Sequence, residues 1–435
     1  MRAANGPRET PSGRQEDPLP DWQLWLPPAL TKPRFRLYVA GHSVTVIGGW
    51  IQQVALSWLI YRLTDSIFLL GLAGFLLNIF YLLLGPLAGL AADRLPRLKA
   101  LIAIDLVLAA LAVLLAIMGL ADVTDIRAYL AVATLIGVAS ALEMPMRQTL
   151  FKEIVEDRAL LASAVAMSGM VYNLGRMIGP AIAGTLLIYI SEAWCFVLNA
   201  LSYAAIIGAL LAMRLPSRHT HVAAGLAPEG FVASLTVIGS FPAVRYLLPT
   251  LVAIGLFATS YVPLMPSIVA HFFDGQSSTV GMLISAAGLG ALTASSYLAV
   301  QAGFSRQLRL VTVAPLAVGA SLAAFAWSRS LPLSMLLLGA MAGSMLVASN
   351  ATNALLQQSV PDAWRGRVIG VYSMAFAGTA PIGGLLAGWL AERIGLTPML
   401  TINGVLIVGA GLLSRWRLHN HPEALRGLMR SLSRP

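Results

Sequence analysis

The 435-residue chain is 57% hydrophobic and only 11% charged, with a mean hydropathy of +0.77; a soluble chain would carry about 25% charge, so a water-soluble domain is excluded. The net charge of +10 and pI near 10.1 do not indicate a nucleic-acid partner, because the cations sit in short breaks between apolar runs, where positive charge holds a loop in the cytoplasm. This is the composition of a polytopic protein of the lipid bilayer.

Residues 1–34 are polar and proline-rich (Pro7, Pro11, Pro18, Pro20, Pro27, Pro28) and are expected to form a disordered cytoplasmic tail. They hold no apolar stretch ending at a small-residue cleavage site, so the first span is expected to direct insertion itself. A helix needs roughly 20 residues to cross about 30 Å of hydrocarbon. Cutting the chain at that length gives twelve spans, at about 37–61, 67–92, 98–120, 127–148, 162–189, 192–213, 245–270, 279–302, 307–328, 331–354, 367–391 and 396–415. With both ends on one side, that side collects Arg34, Arg36, Arg94, Arg97, Lys99, Lys152, Arg158, Arg214, Arg306, Arg309, Arg365 and Arg367. The other receives Arg62, Arg127, Arg329 and Arg393. The asymmetry places both termini in the cytoplasm.

The longest break carries Pro216, His219, His221, Gly225, Pro228 and Gly230 and reads as a linker. The expected organisation is a six-helix bundle over 35–214, a cytoplasmic linker over 215–244, a second six-helix bundle over 245–416 and a cytoplasmic tail over 417–435. The halves echo each other: Val155, Gly184 and Asn199 recur as Val360, Gly388 and Asn403, offset by 204 or 205 residues. A parallel duplication of this kind places a substrate site between the halves, near the membrane midplane.

Between the second and third spans stand Gly89, Leu90, Ala92, Asp93, Arg94, Pro96, Arg97 and Lys99, an acid-base turn behind a long apolar run. The fifth span contains Gly175, Arg176, Gly179, Pro180 and Gly184; glycines four and five residues apart admit a close helix neighbour, and Pro180 removes a backbone donor. The first stretch resembles the loop signature of the major facilitator superfamily, with Pro96 in place of the loop glycine. The second resembles that superfamily's antiporter motif, although simple glycine-mediated packing gives the same pattern. Gly49-Trp50-Ile51-Gln52, Glu143-Met144-Pro145-Met146-Arg147-Gln148, Trp194-Cys195-Phe196 with Asn199, and Arg365-Gly366-Arg367-Val368 resemble the bacterial drug:proton antiporter group that includes enterobactin exporters and macrolide efflux proteins. In that group the fourth-span acid is commonly aspartate rather than glutamate.

The resemblance implies an all-α membrane protein of twelve helices in two pseudo-symmetric bundles, working in the bacterial inner membrane. It implies that Asp93, with Gly89, Arg94 and Arg97, closes a cytoplasmic gate against the helix beginning near Arg367. It also implies that the first, fourth, seventh and tenth helices line a central cavity, which makes Trp50, Gln52, Gln53, Trp58, Arg147, Tyr261, Asn350 and Asn353 its candidate wall.

Asp105, Glu143 and Arg176 fall inside apolar spans, where a charge costs a few kcal/mol and finds a partner or a wet cavity. Asp105 and Glu143 lie at a shared depth of roughly 10 to 12 Å, and the stem of Arg176 is long enough to reach toward them. Two roles are open to Glu143: proton carrier, or fixed partner of Arg147 or Arg176; Asp105 is the second candidate carrier. Cys195 stands alone, and the His219/His221 and His419/His421 pairs lack further ligands, so no metal site is expected. There is no phosphate-binding G-x-x-x-x-G-K-[ST] loop and no catalytic constellation, so neither a cofactor nor enzyme activity is expected. The expected function is monomeric, proton-coupled export of an amphiphilic small molecule of siderophore, macrolide or drug type. The rivals are a lipid or lysophospholipid flippase on the same fold and a non-transporting sensor.

Overall fold

The computed structural model describes residues 27–155, 157–213, 237–239, 241–273, 275–299 and 304–420; the side chains of 86–94, 152, 158, 295–299, 304–305 and 362–363 lie outside the description. Twelve helices are long and apolar enough to cross a membrane. They are α1 (Pro33–Thr64), α2 (Ile67–Arg94), α3 (Arg97–Leu120), α4 (Ile126–Val155), α5 (Arg158–Tyr189), α6 (Glu192–Ala212), α7 (Pro242–Phe272), α8 (Ser277–Ala299), α9 (Phe304–Trp327), α10 (Leu331–Ser359), α11 (Asp362–Ile394) and α12 (Leu396–Asn420). Only a helix keeps every backbone polar group satisfied within its own span, which is why each apolar run takes this form.

The helix ends follow local chemistry. Asp157 caps α5 by accepting the Ala159 N–H at 2.8 Å. Asp65 closes α1 in the left-handed region, φ 50°, and Gly395 turns α11 into α12 at φ 88°. Several helices outrun their expected ends: α1 begins at Pro33 rather than 37, α4 runs to Val155 rather than 148, and α10 runs to Ser359 rather than 354. Polar residues there continue the helix beyond the hydrocarbon, where hydropathy carries no signal. Within α7 and α11, the stretches Ile254–Ala258 and Met374–Gly378 are π-helical. They meet each other, since a Cβ on Gly255 would lie 2.6 Å from the Phe376 carbonyl oxygen.

Packing repeats between the halves. In the first bundle α1 packs on α5 and α6, α2 on α4, and α3 on α4 and α6; in the second, α7 packs on α11 and α12, α8 on α10, and α9 on α10 and α12. The bundles are joined by α2 against α11 and α5 against α8. Their buried core has a telling shape. One cluster, including Leu56, Leu70, Tyr261, Leu283 and Ala387, runs across both bundles on the half away from the chain termini. On the terminus half the core divides into a cluster of the first bundle alone, around Phe35, Leu101, Met146 and Leu210. A separate cluster belongs to the second bundle, around Leu247, Val311, Leu355 and Val368. The bundles are thus sealed together at the far end and part company toward the termini. The tail and linker expectations fall mostly on residues outside the description.

Candidate functional site

Where the bundles separate, three helices bring their hydrogen-bonding residues to one point. Glu143 and Arg147 stand four apart on α4, hence on one face, and Tyr38 and His42 do the same on α1. Arg147 Nη2 donates to Asp105 Oδ1 of α3 at 3.2 Å and to Glu143 Oε1. Its Nη1 donates to the Tyr38 hydroxyl at 3.5 Å and to His42 Nδ1 at 3.2 Å; a guanidinium has only donors, so His42 is the acceptor. Tyr81 and Tyr203 lie within electrostatic reach of the same groups. Aromatic neighbours hold the α1 pair in place, Tyr38 stacking on His42 at 5.3 Å and meeting Phe151 edge-on at 5.4 Å.

The cluster holds two carboxylates and one guanidinium. Asp105 is 0% exposed and its Oδ2 has no partner, whereas Glu143 is 19% exposed. One acid is buried behind Arg147 and the other looks outward. Of the two partners open to Glu143, the structure therefore chooses Arg147. Arg176 does not reach the cluster: its Nη2 donates to the Tyr261 hydroxyl of α7 at 3.2 Å, across the two bundles, and its Nε is buried without a partner.

The fifth-span glycines divide between two neighbours. Gly179 lies under Trp50 of α1, with a built Cβ 3.1 Å from the Ile47 carbonyl oxygen, and Gly175 lies under Val46. Gly184 faces the other bundle, its built Cβ 2.8 Å from the Ser277 carbonyl oxygen and 3.1 Å from Gly281 Cα; Pro180 abuts Gly281 on the same side. The motif thus sets α5 between α1 and α8.

Several expected wall residues are already engaged by neighbouring side chains. Gln52 is buried and accepts from Asn199 Nδ2 of α6 at 2.8 Å, Trp58 packs against the apolar core, Arg147 belongs to the buried cluster, and Tyr261 is fully buried. These are polar or aromatic groups whose partners come from helices that sequence spacing cannot place. Trp50 is buried and tilted against Tyr172 at 6.0 Å. Gln53 is half-buried, Asn350 is exposed, and Asn353 accepts from Gln357 Nε2 at 2.5 Å. At the start of α3, Arg97 donates to Glu153 of α4 at 2.8 Å. Gly89 lies in α2, and the side chains of Asp93 and Arg94 lie outside the description.

At the sealed end stands a residue the sequence reading missed. Glu392, near the end of α11, accepts the backbone N–H of Ile67 at 2.7 Å, that of Phe68 at 3.0 Å and the Ser66 hydroxyl at 3.3 Å. A carboxylate of one bundle therefore caps the positive N-terminus of a helix of the other. Beneath it Gly71 and Gly388 bring α2 and α11 together, the built Cβ of Gly71 lying 3.2 Å from Gly388 Cα. His42 and Tyr38 were missed as well; a histidine within an apolar span was the available signal.

Known proteins agree with this architecture. A staphyloferrin A transporter of Staphylococcus aureus (strain NCTC 8325 / PS 47) is 25% identical over 85% of this chain and 92% of its own length. A macrolide efflux protein A of Streptococcus pyogenes is 24% identical over 87% and 94%. Among solved structures, a peptide transporter, POT, superposes with a TM-score of 0.71 at 15% identity over 91% of this chain and 96% of its own, which speaks to the fold. The profile described as transmembrane secretion effector matches residues 25–427, and the chain belongs to that family of major facilitator transporters.

Proposed function

We propose that the chain is a proton-coupled exporter of an amphiphilic small molecule, with Glu143 and Asp105 as its proton-carrying groups. The observation that carries this reading is the cluster's unequal charge: two carboxylates share Arg147 inside an apolar span, one is sealed off with an unpartnered oxygen, and the other is partly exposed. Two carboxylates and one guanidinium leave a net charge of −1, which one proton neutralises, and the partly exposed Glu143 is the side of the cluster open to water. With the termini in the cytoplasm, the parted side of the bundles is the cytoplasmic one, where cargo is loaded. Proton release there and cargo loading favour the same state, and rocking of the bundles about the midplane exposes the site to the other side. Names of the relatives point to a siderophore or a macrolide as the kind of cargo. Asp93 is assigned the gate on the cytoplasmic side, opposite the Glu392 cap. Both acids then act on the same helix pair, α2 and α11, from opposite ends.

The test is Glu143→Gln in proteoliposomes. The variant is expected to keep cargo exchange at equal pH while losing accumulation driven by a pH gradient. Full retention of gradient-driven accumulation would remove Glu143 from the coupling.

A further inference from the structure

On the second bundle, α8 and α9 both pack along α10 but not along each other. Between them lies a groove of about 830 Å³, floored by Gly290, Gly339 and Gly343. The absence of side chains makes the floor deep: α8 and α10 touch there, a Cβ built on Gly343 lying 2.8 Å from the Gly290 carbonyl oxygen. The rim faces outward, with Leu289 at 54%, Val313 at 46% and Leu336 at 68% exposure. All three helices are spans, so hydrocarbon rather than water reaches this opening. Of the two hydroxyls on the groove wall, Thr293 already donates to Gly290 O at 2.9 Å.

A cation stands one helical turn beyond the groove lining. Leu310, Val313, Ala314 and Ala317 line the groove from α9 and share one face at helical spacing; the same face continues one turn back to Arg306. Arg306 is exposed and begins the span, at the surface on the side of the termini. Among the described residues no carboxylate forms an ion pair with it, so the described site favours an anionic headgroup over a zwitterionic one.

We propose that this groove binds an anionic glycerophospholipid of the leaflet on the side of the termini, with an acyl chain along α10 and the phosphate against Arg306. The slot supplies contact for the tail over about 18 Å of α10, from Met335 to Val347 at 1.5 Å per residue, and the guanidinium supplies the choice of headgroup.

The experiment is native mass spectrometry of the full chain, released from detergent after equilibration with equal amounts of phosphatidylglycerol and phosphatidylcholine of identical chains. Phosphatidylglycerol is expected to be retained over phosphatidylcholine by about fivefold, the worth of one cation beside an anionic lipid. Arg306→Gln is expected to bring the two to parity while a lipid remains bound. Ala340→Phe, at an exposed position on the groove wall, is expected to lower retention of both. Equal retention by the unaltered chain, a preference that survives Arg306→Gln, or retention indifferent to Ala340→Phe would overturn the proposal. A dimer that Ala340→Phe dissociates would give this face to a second copy of the chain and overturn it equally.

Discussion

Arg147→Gln is expected to abolish transport and to destabilise the purified protein by about 3 to 5 kcal/mol, the usual consequence of removing one partner from a buried ion pair. The reason is geometric. One guanidinium reaches Asp105 and Glu143 with Nη2 and Tyr38 and His42 with Nη1, so its loss strands two carboxylates at once. Lysine is no substitute, because a single ammonium cannot fork to four partners on three helices. Structure and mechanism are separable here. The triple variant Asp105→Asn, Glu143→Gln, Arg147→Gln carries no charge in the cluster and is expected to recover much of the thermal midpoint while remaining inactive. Midpoints in detergent check this; an Arg147→Gln protein as stable as the parent would contradict the burial argument.

The second large effect is expected at the opposite end of the molecule. Glu392→Ala should open the sealed side, because that carboxylate is the charged partner of three donors at the N-terminus of α2. Hydrogen bonds to a charged group contribute about 1.5 to 3 kcal/mol, which corresponds to roughly a tenfold to hundredfold shift between sealed and open populations. Spin labels at Thr124 and Ser330, exposed in loops of the two bundles on that side, report it as a longer distance component in electron paramagnetic resonance. The native Cys195 is buried and does not compete for the label. An unchanged distance distribution would show that the apposed glycines of α2 and α11 hold the seal without the cap.

Much of this architecture is legible in the sequence, and the exceptions have physical causes. Twelve spans follow from hydropathy because a membrane helix must bury a fixed length of apolar chain. Their ends do not, since Thr149 and Glu153 extend α4 in a region where polar and apolar residues are equally at home. The π turns in α7 and α11 leave no hydropathy signature, because they come from the fit of one helix to another. Asp105 and Glu143 stand out as acids within apolar runs, and Arg147, four residues after Glu143, reads both as its possible partner and as a cavity wall; spacing alone does not choose between Arg147 and Arg176. Gln52 reads as a wall residue for want of any sign that Asn199 lies opposite it. Glu392 is the clearest case: next to Arg393 at a loop it looks like surface charge, and its role depends on the N-terminus of a helix more than 300 residues away in sequence. Sequence spacing orders residues along one helix. The contacts made between helices, and above all between bundles, are set by packing.

The central claim is the exchange of cargo for protons through the Asp105–Glu143–Arg147 cluster. It is tested most directly in inside-out membrane vesicles acidified by respiration, with a pH-sensitive dye reporting the lumen and a panel of siderophores, macrolides, cationic dyes and lysolipids added in turn. Proton release that depends on one compound, is matched by uptake of that compound, and is lost with Glu143→Gln is the predicted result. Uptake of a compound by the unaltered protein without any proton release would contradict it.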